Sequence, residues 1–319
     1  VSSARSGEHT NPYGVGSPAR LTSGERGTVF PLFGDAHVHL GLVDPSGLPV
    51  AGIGRVLDTG WSLPAQQEWA AGSIPGLDVD FAGNFLAAPG GYPSDRSWAP
   101  EDATVFVSDS EQAVATQVVA GARAIKITLN ADAGPVHSDE VLAQLVTATQ
   151  QRGLTPVIHA EGAGQAERAI SAGSVVLAHT PFTEILSDEL ISYAAATNVG
   201  WMSTLDIHGY GTYSDAFDIA CANLRRFIAA GGTVFYGTDL GNGPLPLGIN
   251  VRELTALQAC GMTPLQISES LTSWWETKND LTPPTRVSFI SEISDGSSAD
   301  FCTWLATARI VETTEVEYL

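Results

Sequence analysis

Ala124-Ile125-Lys126-Ile127-Thr128-Leu129 and Thr155-Pro156-Val157-Ile158-His159 are two short apolar runs, and the segment between them has a different period. Ser138 can cap a helix there, with Asp139 and Glu140 at its positive end and Val141, Leu142, Leu145 and Val146 as one apolar stripe. Gly153 then ends it. Strand, helix and strand in about 35 residues make a βα unit, which implies a parallel sheet.

The same alternation extends in both directions. Further strand-like runs fall at 50–57, 104–107, 175–179, 200–205 and 233–237, with helical spacing or caps at 111–120, 164–172, 187–196 and 213–230. About eight such units fit between residues 34 and 275, close to the ~250 residues of a (β/α)8 barrel. An open doubly wound sheet is the alternative, but no GxGxxG loop follows an early strand. The expected division is a β-leaning flank at 1–32, an α/β TIM-like barrel at 33–280, and a second β-leaning flank at 281–319. The flanks carry strand-like pieces at 286–290 and 301–305 that would pair into a small sheet.

Composition narrows the function. Fifteen basic against thirty-five acidic residues give a net charge of −20, which repels phosphate backbones and anionic lipid, so nucleic acid is not an expected partner. No apolar run approaches the ~20 residues of a membrane span. Residues 1–10 show no apolar signal-peptide core. Cys221, Cys260 and Cys302 are odd in number without a CxxC, and read as thiols of a reducing compartment. The expected location is the cytoplasm, and the expected partner a small-molecule substrate, with a homo-oligomer compatible.

Six residues within or at the ends of such apolar runs could carry chemistry. His37 and His39 in Asp35-Ala36-His37-Val38-His39 point to one face by the strand period, a pattern that fits a shared metal or two hydrogen-bonded imidazoles. Lys126 lies in a run that wants burial, and Lys126 and Lys278 are the only lysines beside thirteen arginines. A desolvated lysine can lose its proton and add carbon dioxide as a carbamate, whereas arginine stays charged. His159, His179 and Asp239 each end a strand-like run, where a ligand or a polar cap serves equally. From His39 the spacings are 87, 33, 20 and 60 residues, which place the groups after strands 1, 4, 5, 6 and 8 of a barrel, on one rim. Together they offer nitrogen and oxygen donors to two divalent ions, zinc or similar. Tyr92, His137 and His208 lie in loops near that rim and are candidate substrate contacts.

This ordered set resembles the amidohydrolase superfamily, in its imidazolonepropionase and Xaa-Pro/Xaa-Arg dipeptidase-like branch. The resemblance runs from about Phe30 through Gly34-Asp35-Ala36-His37-Val38-His39-Leu40 to Gly237-Thr238-Asp239 and Arg252-Glu253-Leu254, and reaches Gly296 to Asp300. It implies that His37, His39 and Asp239 hold the buried metal, that His159 and His179 hold the more exposed one, and that carboxylated Lys126 bridges them. The implied reaction is hydrolysis of an amide or cyclic amide by activated water, with Asp239 as general base and then acid. Two departures stand out: the N-terminal sheet domain is short, and Trp274-Trp275-Glu276 replaces small residues. The alternatives are a lactonase, a one-metal aminohydrolase with Glu161 as its acid, or a barrel that binds a small molecule without catalysis.

Overall fold

The computed structural model describes residues 11–212, 214–276, 284–292 and 300–319. The expectations for residues 1–10, for the boundary at 280/281 and for 296–299 lie outside the described residues. The strands are β1 (Ser17–Leu21), β2 (Arg26–Phe30), β3 (Gly34–Val38), β4 (Arg55–Asp58), β5 (Asp78–Phe81), β6 (Phe85–Ala87), β7 (Thr104–Phe106) and β8 (Ala124–Asn130). They continue as β9 (Thr155–Glu161), β10 (Val176–Leu177), β11 (Gly200–Met202), β12 (Thr233–Phe235), β13 (Arg286–Ser291), β14 (Arg309–Glu312) and β15 (Val316–Tyr318).

Strands from the two flanks form one antiparallel sheet in the order β14-β13-β2-β1-β15. The remaining strands are parallel, in a three-stranded sheet β3-β4-β5 and a seven-stranded sheet β12-β11-β10-β9-β8-β6-β7. Backbone hydrogen bonds join the two parallel sheets at both seams. On one side the Ala36 N–H donates to Tyr236 O, Asp239 N–H to His37 O, and His39 N–H to Leu240 O, at 2.8–2.9 Å; on the other, Arg123 N–H donates to Phe81 O at 2.8 Å and Lys126 N–H to Ala82 O at 3.3 Å.

The β8 run is buried at every position, as a strand covered on both faces requires. The helix Asp139–Gln151 behind it starts where Ser138 Oγ accepts the Val141 N–H, and buries Leu142, Leu145 and Val146. One expectation fails: Phe301–Leu305 is a helix, not a strand. Asp300 accepts the Thr303 N–H and nucleates the turn, a cap that outweighs the β-leaning residues after it.

Small and medium side chains from successive parallel strands or the residues after them make one inner cluster: Ala36, Leu57, Ala82, Ala124, Val157 and Met202, among others. Trp274 seals it, 2 % exposed and edge-on to Phe235 at 5.4 Å. Trp275 beside it donates its Nε1–H to Asp80 Oδ2 at 3.1 Å. The bulky residues where the resemblance implies small ones therefore act as packing. Among the described residues no helix is long and apolar enough to cross a membrane.

Candidate metal centre

His37 lies in β3, Lys126 in β8 and His159 in β9, while His39, His179 and Asp239 lie one, two and four residues past the ends of β3, β10 and β12. Parallel strands end on the same side of their sheet, so side chains far apart in sequence meet there. None of the six is more than 7 % exposed. The imidazoles form a continuous series, with ring centroids 5.4 Å apart for His39 and His37, 4.7 Å for His37 and His179, and 4.9 Å for His179 and His159.

Each imidazole is oriented through one nitrogen. His37 Nδ1 faces Ala178 O at 2.6 Å, His39 Nδ1 faces Gly60 O at 3.2 Å, and His179 Nδ1 faces Thr204 Oγ1 at 2.9 Å. His159 is the reverse, with Nε2 facing Glu161 Oε2 at 3.1 Å. Carbonyl and carboxylate oxygens only accept, so these contacts set the tautomers of His37, His39 and His159 and leave the opposite nitrogen as a lone pair. Asn130 Nδ2 also donates to Glu161 Oε2 at 2.7 Å, which holds that carboxylate in place.

The opposite nitrogens converge in two groups. His37 Nε2 and His39 Nε2 each lie 3.4 Å from Asp239 Oδ1, and the three form a cluster able to hold an ion. His159 Nδ1 and His179 Nε2 are 3.0 Å apart. Two donors on one zinc, each at about 2.0–2.1 Å and 90–110° apart, span about 2.9–3.4 Å, which matches both groups. His37 Nε2 is buried and has no hydrogen-bond partner among the described residues, a costly arrangement that a cation would relieve. The donor set therefore fits divalent metal.

Electrostatics agree. Burial lowers Lys126 to about 8 against the pull of Asp239 and Asp58, and raises Asp239 to about 7 against the pull of Lys126 and the Asn242 hydrogen bond. Burial also pushes all four imidazoles down, which keeps them neutral as ligands must be. Asp239 sits at φ 59° and Thr204 at φ 42°, left-handed conformations that cost on the order of 1–3 kcal/mol each and are held by tertiary contacts. The Asp239 N–H bond to His37 O and the Asn242 Nδ2–H bond to Asp239 Oδ1, both 2.8 Å, provide that support.

The remaining candidates separate. The Tyr92 ring stacks on His159 with centroids 5.0 Å apart, and Trp98 stands 6.3 Å from both Tyr92 and His39. His208 packs on Phe182 at 4.3 Å, and Phe182 lies 6.2 Å from His179. His137 instead turns its Nε2 to Leu86 O at 3.1 Å, a contact to the β6 backbone. Sequence reading did not find Asn130 or Thr204 as orienting groups, nor Asp35, which accepts the His37 and Thr238 N–H groups at 3.0 Å and ties β3 to the end of β12. Asn130 and Glu161 share the two-residue strand period of the ligands beside them, and that was the available signal.

No family model and no curated protein matches the chain. Solved structures do. The chain is similar to a Xaa-Pro dipeptidase with bound methionine in its active site, at TM-score 0.70 and 18 % identity over 92 % of this chain and 87 % of that one. It is also similar to the ochratoxinase of A. niger, at TM-score 0.62 and 19 % identity over 77 % and 70 %, and to phenylurea hydrolase B, at TM-score 0.63 and 15 % identity over 91 % and 85 %. The chain has the fold of these solved structures.

Proposed function

We propose that this protein is a metal-dependent hydrolase of carbon–nitrogen bonds in small molecules, of the Xaa-Pro dipeptidase-like kind. The arrangement that carries the reading is four imidazoles, each oriented through one nitrogen, whose other nitrogens gather in two groups beside Asp239 and buried Lys126. The scaffold is a (β/α)8 barrel with staves β3-β4-β5-β8-β9-β10-β11-β12; the seam hydrogen bonds that link β3 to the end of β12, and the end of β5 to β8, support closure. The flank sheet is a separate small unit, with the barrel at 33–280 between its halves. The fold of the three comparison structures supports the same class.

In this reading His37, His39 and Asp239 hold one divalent ion and His159 and His179 a second, zinc by the nitrogen-rich donor set. Lys126 joins them as a carbamate: its neutral amine adds carbon dioxide and releases a proton, and its lowered pKa provides that neutral form near pH 8. When bound, the ions activate water and polarise the scissile carbonyl. The Asp239 carboxylate, steered by Asn242, takes the water's proton and passes it to the leaving nitrogen. Tyr92, stacked on His159, and His208, packed on Phe182, are the substrate contacts in this reading. Glu161, the acid a one-metal aminohydrolase would need, is engaged by His159 and Asn130, which favours hydrolysis of amides over deamination.

The test is a metal count on active protein with hydrolysis of dipeptide, acyl-amino-acid, cyclic amide and lactone panels. Two equivalents of metal and amide cleavage abolished by Asp239→Asn support the proposal. One equivalent, or ammonia release that survives Lys126→Ala, overturns it.

A further inference from the structure

Asp58 ends β4 completely buried. Among the described residues its hydrogen-bond donors are neutral: the Leu40 N–H reaches Oδ2 at 2.8 Å, and the Gly60 N–H and the Gln66 Nε2–H reach Oδ1 at 3.2 and 2.6 Å. A carboxylate buried among neutral groups is costly to keep, and Asp58 has no part in the ligand set or in the chemistry proposed above.

The donors stand around one candidate ligand. Residues 58–60 grip residues 38–40 one for one: the Thr59 N–H donates to Val38 O at 2.9 Å, Gly60 O faces His39 Nδ1 at 3.2 Å, and Asp58 Oδ2 accepts the Leu40 N–H. His39 is therefore held before, at and after its own position. Asp58 controls two of the three grips, because its Oδ1 also holds the N–H of Gly60, the residue whose carbonyl orients the imidazole. Gly60 sits at φ 147°, and a Cβ there would meet the Phe85 ring at 2.5 Å, so the turn is pressed against a ring whose centroid is 5.7 Å from that of His39. Gln66 pins the other side of the carboxylate and donates to Gly83 O at 3.2 Å as well.

The geometry calls for a carboxylate. Donors occupy both oxygens, and only a group with an acceptor at each end satisfies them. An amide in its place would set its own NH2 against the N–H of Leu40 or of Gly60.

We infer that Asp58 is the positioning residue of His39: one carboxylate fixes the Gly60 carbonyl and the Leu40 amide, and so holds the imidazole in the tautomer that aims Nε2 at Asp239. The ring is set in this way before any ion arrives. The effect on metal affinity rests on the metal-centre reading, whereas the tautomer does not.

The experiment is imidazole-nitrogen NMR of isotope-labelled protein, first metal-free and then in chelator-buffered zinc, with the His39 and His179 signals identified by their loss in His39→Ala and His179→Ala. Metal-free wild type should show His39 as the Nδ1–H tautomer. Asp58→Asn should mix the two His39 tautomers and raise the free zinc that saturates the His39 signals ~10–100-fold, with the value at His179 changed less than threefold. Trp274→Ala, a change in the inner cluster away from residues 58–60, should move neither reading. If Asp58→Asn does not fold, Gln66→Leu decides, since it removes one donor and keeps the backbone pair: at least threefold weakening confined to His39 supports the inference, and none overturns it. In Asp58→Asn, wild-type readings at His39, equal weakening at His39 and His179, or a His39 change that Trp274→Ala reproduces overturns it. Mixed tautomers in Asp58→Asn, beside a wild type that binds no zinc at His39, leave the inference standing and remove the metal reading.

Discussion

Replacing Lys126 by methionine should make the metal-free protein more stable while disabling the site. Lys126 is fully buried in β8, and burial lowers its pKa from 10.5 to about 8 although Asp239 and Asp58 pull it upward. At ~1.4 kcal/mol per pH unit, the ammonium costs the metal-free fold about 3 kcal/mol. The cost is complete below pH 8. Between pH 8 and 10.5 the unfolded chain still binds the proton that the folded chain has released, so wild-type stability should rise with pH across that window. Methionine keeps much of the volume without the charge, so Lys126→Met should gain up to about 3 kcal/mol at pH 7. The gain is reduced by whatever Asp239 and Asp58 lose with their cation. The assay is urea unfolding of chelator-treated wild type and variant at pH 7 and 9.5, alongside metal stoichiometry. The variant should lose its rise with pH, bind metal at least ~100-fold more weakly and hydrolyse no amide. A metal-free variant less stable than wild type by more than ~1 kcal/mol, or one that retains the wild-type metal count, would refute the reasoning.

Four further outcomes are expected. Asp239→Asn should cut kcat at least ~10³-fold and leave the urea midpoint of metal-free protein unchanged or higher, since burial disfavours the carboxylate it removes. Glu161→Ala should weaken metal affinity ~10–100-fold in chelator competition, because His159 loses the acceptor that sets its tautomer. Burial raises Glu253 to about 7, so the folded chain keeps a proton that the unfolded chain loses above about pH 4.5; in urea melts of metal-free protein Glu253→Gln should therefore gain stability relative to wild type as pH rises from about 4.5 to 7, and a difference that shrinks over that range would count against it. Trp274→Ala should cost about 3–5 kcal/mol by opening a cavity beneath the inner cluster, with metal affinity unaffected.

The parallel-strand plan was legible because its signals are local. Ser138, Asp139 and the stripe through Leu142 and Leu145 mark a helix without any tertiary knowledge, and β8 reads as a strand buried on both faces. The site residues were visible as strand-ending histidines, a lysine among apolar neighbours and an aspartate before a glycine-rich loop. The groups that orient them were not. Ala178 O and Gly60 O are backbone atoms without a sequence signature, and Thr204 reaches His179 only through a left-handed φ that nothing in its neighbours announces. The 301–305 segment was misread because Phe-Cys-Thr-Trp-Leu favours strand on propensity, while one side chain, Asp300, decides for helix.

The central claim is that the two groups of donor atoms are metal sites. An anomalous-scattering crystal structure of zinc-loaded protein tests it directly. Two peaks are expected, one within about 2.2 Å of His37 Nε2, His39 Nε2 and an Asp239 oxygen, the other at the same distance from His159 Nδ1 and His179 Nε2, with carbamate density continuous from Lys126 Nζ. Peaks elsewhere, or imidazoles that keep their present contacts with no ion between them, would contradict the account.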